Sequence, residues 1–339
     1  MSPAQRSSGT VSLDHAPAAP PHRRRVLVVG GTGTIGRATV RALRRSGHDV
    51  VCLVRRVGAA GPDGVTMRVS DVGDAASVAR AGFAGERFDA VVSCLASRTG
   101  APRDAWAVDY RAHAVVLDAA RAAGVEHFVL LSALCVQRPR LAFQHAKLAF
   151  ERELIASGLR YSIVRPTAFF KSLSGQVARV RDGRPYLVFG DGTLTSCKPI
   201  SDDDLAAFLV GCLDEPARWN RVLPIGGPGP ALTPRDQGLL LFALLGRPPR
   251  FRHVPVRLLD VVAGALGVAG RIAPPLAAKA ELARIGRYYA TESMLVWDAH
   301  AGRYDADATP ECGTEMLEAH YRALLRGDAS ADLGAHAVF

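Results

Sequence analysis

Three observations predict an α/β fold with a doubly wound parallel sheet. From Arg25 the sequence alternates short β-branched runs with longer Ala/Arg-rich stretches of helical spacing, the pattern of strand-helix-strand units. The first of those runs leads straight into a glycine-rich turn and then a helix. The chain has 339 residues, 48% apolar and 22% charged, enough to close a sizeable core, and its 33 Gly and 21 Pro imply many turns rather than a repetitive or disordered polymer.

Taken in order, residues 1–23 are rich in Pro and Ala and lack the apolar run of a secretory signal, so they read as a disordered leader. Strands are expected at 25–30 (RVLVVG), 49–54 (DVVCLV), 65–69 (VTMRV), 88–95 (FDAVVSCL), 127–133 (HFVLLSA) and 160–166 (RYSIVRP), with helices between them. The first helix, from Thr34 to about Ser46, should turn Ile35, Thr39, Ala42 and Leu43 inward and leave Arg37, Arg41, Arg44 and Arg45 as a solvated stripe. Residues 24–166 thus form the expected dinucleotide-binding domain. After Pro166 the alternation weakens and Pro/Gly clusters cut the chain into short pieces, so 167–339 is expected to be mainly a smaller substrate-binding region, with some segments returning to the sheet. The run SDDD at 201–204 reads as a capped, acid-rich helix start rather than a metal site.

Six cysteines never form a Cys-x-x-Cys pair, so metal and iron-sulfur spacings are absent. Four of them (Cys52, Cys94, Cys135, Cys212) lie in apolar runs, as buried free thiols do. The longest apolar run, from Leu258 to Gly270, is interrupted by Asp260 and falls short of the roughly 20 residues of a membrane span. A soluble cytoplasmic protein is expected, with that stretch as the candidate for peripheral contact with a membrane. The formal charge of +10 leaves nucleic acid, an anionic cofactor or an acidic membrane open, but no helix-turn-helix or aromatic-basic stripe supports nucleic acid.

Gly30, Gly33 and Gly36 form Gly-x-x-Gly-x-x-Gly between strand and helix, where they allow a tight turn, backbone approach to a pyrophosphate and close helix-strand packing. Gly31, Thr32, Thr34 and Ile35 complete the anion nest. The second strand would end in Asp or Glu to hold the ribose hydroxyls of NAD; it ends instead in Arg55 and Arg56, which suit the 2′-phosphate of NADP if they are not merely solvated. Asp71, after the third strand, could reach the adenine or cap a helix.

The segments GGTGTIG, the paired arginines, SDVGD, SCLAS, LLSA and the Lys147 helix resemble the atypical short-chain dehydrogenase/reductase superfamily, and best its NmrA/isoflavone-reductase-like branch. The resemblance implies a Rossmann-type domain. Its members usually carry Tyr-x-x-x-Lys; here Lys147 keeps the lysine, but the tyrosine position is Phe143. Without that phenol acid, reduction of a conjugated carbon-carbon double bond is the better expectation, since it needs a positioned hydride and only a modest proton source. Stretches such as FQHAKLAFERELIASGL, YSIVRPTAFFKSLSGQ and FGDGTLTSCKPISDDDL closely resemble the NADPH-dependent 8-vinyl reductases of chlorophyll and bacteriochlorophyll synthesis, over about residues 24–339.

That resemblance implies hydride transfer from NADPH to the C8 vinyl group of a divinyl chlorophyllide or protochlorophyllide, a tetrapyrrole that carries its own magnesium. Lys147 would hold the nicotinamide-ribose hydroxyls and deliver the proton. Ser132 could orient water or substrate, or simply bond to backbone; His145 could act as an acid or face the magnesium, or lie on the helix surface. Ala96, Ser97, Pro166 and Thr167 would border the cofactor. Phe143, Phe169 and Phe170 are candidate walls for the macrocycle or ordinary core, and Lys171 and Lys198 are candidate partners for its carboxylate or solvated lysines. A non-catalytic NADP-sensing regulator and an isoflavone- or quinone-type double-bond reductase are the competing readings; retention of Lys147 and the long substrate-side resemblance weigh against them.

Overall fold

The computed structural model describes residues 23–56, 64–270 and 274–327. Apart from Arg23, the leader expected at 1–23 lies outside them. Strands β1 (Arg25–Val29), β2 (Asp49–Val54), β3 (Thr66–Val69), β4 (Ala90–Ser93), β5 (His127–Leu131) and β6 (Arg160–Pro166) form where the β-branched runs occur. β4 starts two residues later than its apolar run, because Phe88 packs into the core from the turn that precedes it. Further on come β7 (Tyr186–Phe189), β8 (Arg221–Ile225) and β9 (Phe251–Val254).

Seven strands make one parallel sheet in the order β3-β2-β1-β4-β5-β6-β8, while β7 and β9 pair separately. Side chains alternate across it with period 2. Val26, Val28, Val50, Cys52, Val92, Val129 and Val164 point to one face, where helix α1 (Thr34–Arg45) and the helix Asp202–Gly211 cover them. Leu27, Val29, Val51, Leu53, Val91, Phe128, Leu130 and Ile163 point to the other, beneath Val116, Leu117 and Ala120 and the Phe150 and Leu154 side chains of the helix Ala142–Ala156. Near-continuous apolar strands are what burial on both faces demands. In α1, Ile35, Thr39, Ala42 and Leu43 are buried and the four arginines exposed. Ser201 caps the acid-rich helix by accepting the Asp204 N–H.

After Pro166, β8 returns to the sheet edge, and β7, β9 and the helices Pro234–Leu244 and Leu317–Arg326 enclose a separate core around Phe170, Tyr186, Leu241 and Tyr321. Among the described residues no helix is long and apolar enough to cross a membrane.

Two histidines are buried in the sheet domain. The His113 ring bonds Ser93 Oγ and the Val108 carbonyl oxygen, each at 2.9 Å, and His127 Nε2 lies 3.0 Å from Ser162 Oγ. Burial pushes both imidazoles down to about 4, with Lys147 adding to the effect at His113 and Arg160 at His127. A depressed folded-state value means that the unfolded chain binds more protons between pH 6.5 and 4, so stability is full above pH 6.5 and falls as the pH drops through that window, by roughly 2 kcal/mol per histidine at pH 5. Thermal melting at pH 7 and pH 5 should therefore show a marked fall in midpoint, and an unchanged midpoint would refute neutral burial of these rings.

Candidate active site

The sheet order reverses between β1 and β4, so the carboxyl ends of those strands open the crevice in which this kind of sheet binds ligands. Gly30 ends β1 with φ +79°, and a Cβ there would lie 2.6–2.7 Å from the Cys94 carbonyl and the Leu95 nitrogen. A Cβ on Gly36 would stand 2.1 Å from the Gly30 oxygen. Both glycines are therefore required by close backbone approach. A Cβ on Gly31 would meet Cys52 Sγ at 3.1 Å, so this residue offers only its backbone; Gly33, Thr32 and Thr34 are exposed at the mouth of the turn, and Ile35 is buried beneath it. Gly33 is the N-cap of α1, no side chain caps the helix, and its first turn holds no acidic residue. Its end thus presents free N–H groups and a positive dipole to an anion. Arg37 Nε donates to the Thr32 carbonyl at 2.9 Å and braces the turn.

Arg55 and Arg56 leave β2 exposed, and neither guanidinium has a partner among the described residues. Asp71 is exposed, and its Oδ1 accepts the Gly73 N–H at 2.9 Å; the helix cap is Asp74, which accepts from Ala76 and Ser77. The capping alternative for Asp71 is thereby corrected: it closes a local Asx turn three residues too early to cap.

Lys147 turns inward from the helix Ala142–Ala156 and places Nζ 3.0 Å from Asp109 Oδ1. The lysine side chain is 11% exposed and the aspartate fully buried. Asp109 comes from the π-helical segment Trp106–Ala112, and its Oδ1 also accepts the Ser97 N–H at 3.3 Å, which ties the loop after β4 to the lysine. Asp109 Oδ2 has no hydrogen-bond partner among the described residues. Sequence reasoning missed Asp109, although Asp109 and His113, polar residues four apart in a helix otherwise able to bury that face, were the available signal. Ala96, next to Ser97, is exposed.

His145 is exposed, in contrast to Lys147. Positions two apart on a helix point to nearly opposite sides, so of the two expectations for His145 the helix-surface one holds and a place in the lysine's site does not. Ser132 is also reassigned. Its hydroxyl donates to Glu151 Oε1 at 2.5 Å, and Glu151 is held by Arg165 through Nε and Nη2 of the guanidinium, so the serine closes a buried ionic network instead of facing water or substrate.

Pro166 ends β6, and beside it the Thr167 N–H donates to the Ile225 carbonyl (3.0 Å) and its hydroxyl to the Met294 carbonyl (2.7 Å). Phe143 packs with Ala105, Cys135, Ile285 and Tyr288, and Phe170 sits in the C-terminal core beside the His320 ring. These two are interior packing residues, not walls of an open slot, because the helices 274–289 and 317–326 cover them. Phe169, half-buried, leans on the sheet-face core. Lys198 is likewise not available to a ligand: it is 6% exposed, and its ammonium donates to Glu311 Oε1 (2.8 Å) and the Thr309 carbonyl (3.3 Å). Lys171 reaches back from the C-terminal region to the glycine turn, donating to Thr34 Oγ1 at 3.1 Å. Beside it, burial pushes the Asp202 carboxyl up, an effect that Lys171 and Arg41 oppose.

A positive helix end free of carboxylates, two glycines that admit no side chain and unpartnered arginines at the end of β2 fit a nicotinamide dinucleotide. The class that this fold and site define is the NAD(P)H-binding Rossmann-type oxidoreductase; the model of the NAD(P)H-binding family matches residues 30–216. An NADPH-dependent quinone oxidoreductase of Escherichia coli, solved with NADPH, aligns with 88% of this chain and 99% of its own at TM-score 0.62 and 20% identity. A nucleoside-diphosphate-sugar epimerase of Staphylococcus aureus does so over the same shares at TM-score 0.62 and 16% identity. These likenesses establish the fold. The divinyl chlorophyllide a 8-vinyl-reductase of Oryza sativa subsp. indica is 49% identical over 336 residues, 94% of this chain and 83% of its own, and that of Arabidopsis thaliana is 47% identical over 91% and 79%. The chain belongs to the divinyl chlorophyllide a 8-vinyl-reductase family.

Proposed function

We propose that the chain reduces the 8-vinyl group of divinyl chlorophyllide a, or of its protochlorophyllide counterpart, to ethyl with NADPH. The observation that carries this reading is 47–49% identity to four chloroplastic reductases of that name over 91–95% of the chain. When bound, the nicotinamide supplies a hydride to one vinyl carbon. The other carbon needs a proton, and the Lys147 ammonium is the donor in this reading, directly or through one water, since Phe143 offers none. Asp109 positions that ammonium with a single buried ion pair. Arg55 and Arg56 pair with the 2′-phosphate, and the N-terminal N–H groups of α1 hold the diphosphate, with Ala96, Ser97, Pro166 and Thr167 along the nicotinamide side. In this reading the apolar stretch from Leu258 to Gly270 is the candidate contact with a membrane surface. Incubation of the protein with NADPH and divinyl chlorophyllide should shift the Soret band to the blue, because loss of the vinyl group shortens the conjugated system; no shift with dinucleotide binding intact would overturn the assignment.

The contact between Lys171 and Thr34 supports, in this reading, a role for Lys171 beside the glycine turn as a cation for the diphosphate rather than as the substrate anchor expected above. A charge-assisted phosphate contact is worth roughly 1.5–3 kcal/mol, so K171A should weaken NADPH binding by about 10- to 100-fold with the KM for the tetrapyrrole unchanged. A rise in the tetrapyrrole KM alone would restore the anchor.

A further inference from the structure

The helix Val256–Ala269 packs along the helix Pro274–Tyr289 and buries only Ala263, while Asp260 on that inner side pairs with Arg287 at 2.5 Å. Its outer side carries Leu258, Val261, Val262 and Val268, exposed by 51, 66, 38 and 65%. At 100° per residue these four positions, with Ala265 and Ala269, fall within an arc of about 120°, a continuous apolar stripe. The strand that feeds this helix, β9, and the residues beside it carry Arg250, Arg252 and Arg257, all exposed and without a partner among the described residues. Over residues 247–287 the sequence holds eight Lys and Arg against two Asp and Glu.

We infer that this helix lies in the interface of an anionic lipid bilayer, with the valine stripe buried among the upper acyl chains and the three arginines on the headgroup phosphates. An apolar stripe with unpaired cations at the start of the same helix and on the strand that feeds it is the combination that such a surface recognises: the stripe gains by leaving water, and the arginines gain from the negative surface potential. A second copy of the chain fits less well, because a two-fold pairing through this face would bring the same unpartnered arginines of both copies together. The inference deepens the membrane contact in the functional reading above, and it is tested without substrate, so its failure leaves the reductase assignment standing.

Full-length protein is floated with vesicles of phosphatidylcholine alone or mixed with phosphatidylglycerol, at low and high salt. Wild type should float with the anionic vesicles and dissociate as salt rises. V261D/V262D should lose flotation, and R250Q/R252Q/R257Q should weaken it on the order of 100-fold, while dinucleotide binding and melting midpoint stay at wild-type values. No flotation, equal flotation with neutral vesicles, or wild-type flotation by both variants overturns the inference. Conversion of a dimer to a monomer by V261D/V262D, with no vesicle binding by wild type, assigns the stripe to a second copy instead.

Discussion

Replacement of Lys147 by alanine should lower kcat by about 10²- to 10⁴-fold, the range that a positioned proton donor contributes. The substitution has a second consequence that must be separated from the first. Asp109 would be left fully buried without its cation, and breaking a buried pair from one side costs about 3–5 kcal/mol, a large share of a domain's stability. K147A is therefore expected to melt early as well as turn over slowly. The double variant K147M/D109N removes both charges and keeps the side-chain volumes, so it should melt near wild type and still be slow. Slow turnover in the double variant at a wild-type melting midpoint assigns the lysine to the chemistry; full activity there would show that the ion pair serves only the fold. D109N alone tests the positioning role. It should lower kcat with little change in the KM for NADPH, because the ammonium loses the carboxylate that orients it.

The second large effect concerns the choice between nicotinamide dinucleotides. Each arginine-phosphate contact is worth roughly 1.5–3 kcal/mol, and Arg55 and Arg56 are both free of other partners among the described residues. R55A/R56A should raise the KM for NADPH on the order of 100-fold or more and change the KM for NADH only a few-fold, since NADH carries no 2′-phosphate. Parallel loss with both cofactors would mean that the arginines support the turn itself. An inert pair would leave the 2′-phosphate to other residues.

Much of the sheet domain was legible in advance because its signals are local. Strand β1, the glycine turn and α1 agree in propensity, periodicity and turn chemistry, and six apolar runs stand where six neighbouring strands of the sheet form. The C-terminal half was less legible. β8 is a short, half-exposed strand whose Pro224 weakens its pattern, and its place beside β6 follows only from sheet pairing across more than fifty residues. Site residues divide along the same line. Gly30 and Gly36 are recognisable by spacing because they meet a local demand. Asp109, Glu151 and Arg165 were not, because each matters through a partner distant in sequence: Lys147, Ser132 and the buried network between them.

The sequence by itself determined the doubly wound sheet, the phosphate-binding turn and the two arginines beyond β2, whose signals lie within about one turn or strand, and the family, whose resemblance is carried by segments along most of the chain. Only the tertiary structure decided which polar side chains are free. Lys198 and Ser132 look like ligands in one dimension, yet Glu311 and Glu151 occupy them, while Lys171 arrives at the glycine turn from 137 residues away. The physical reason is that a buried cation or hydroxyl must find a partner on folding, and which partner it finds depends on the packing of distant elements rather than on its own flanking residues.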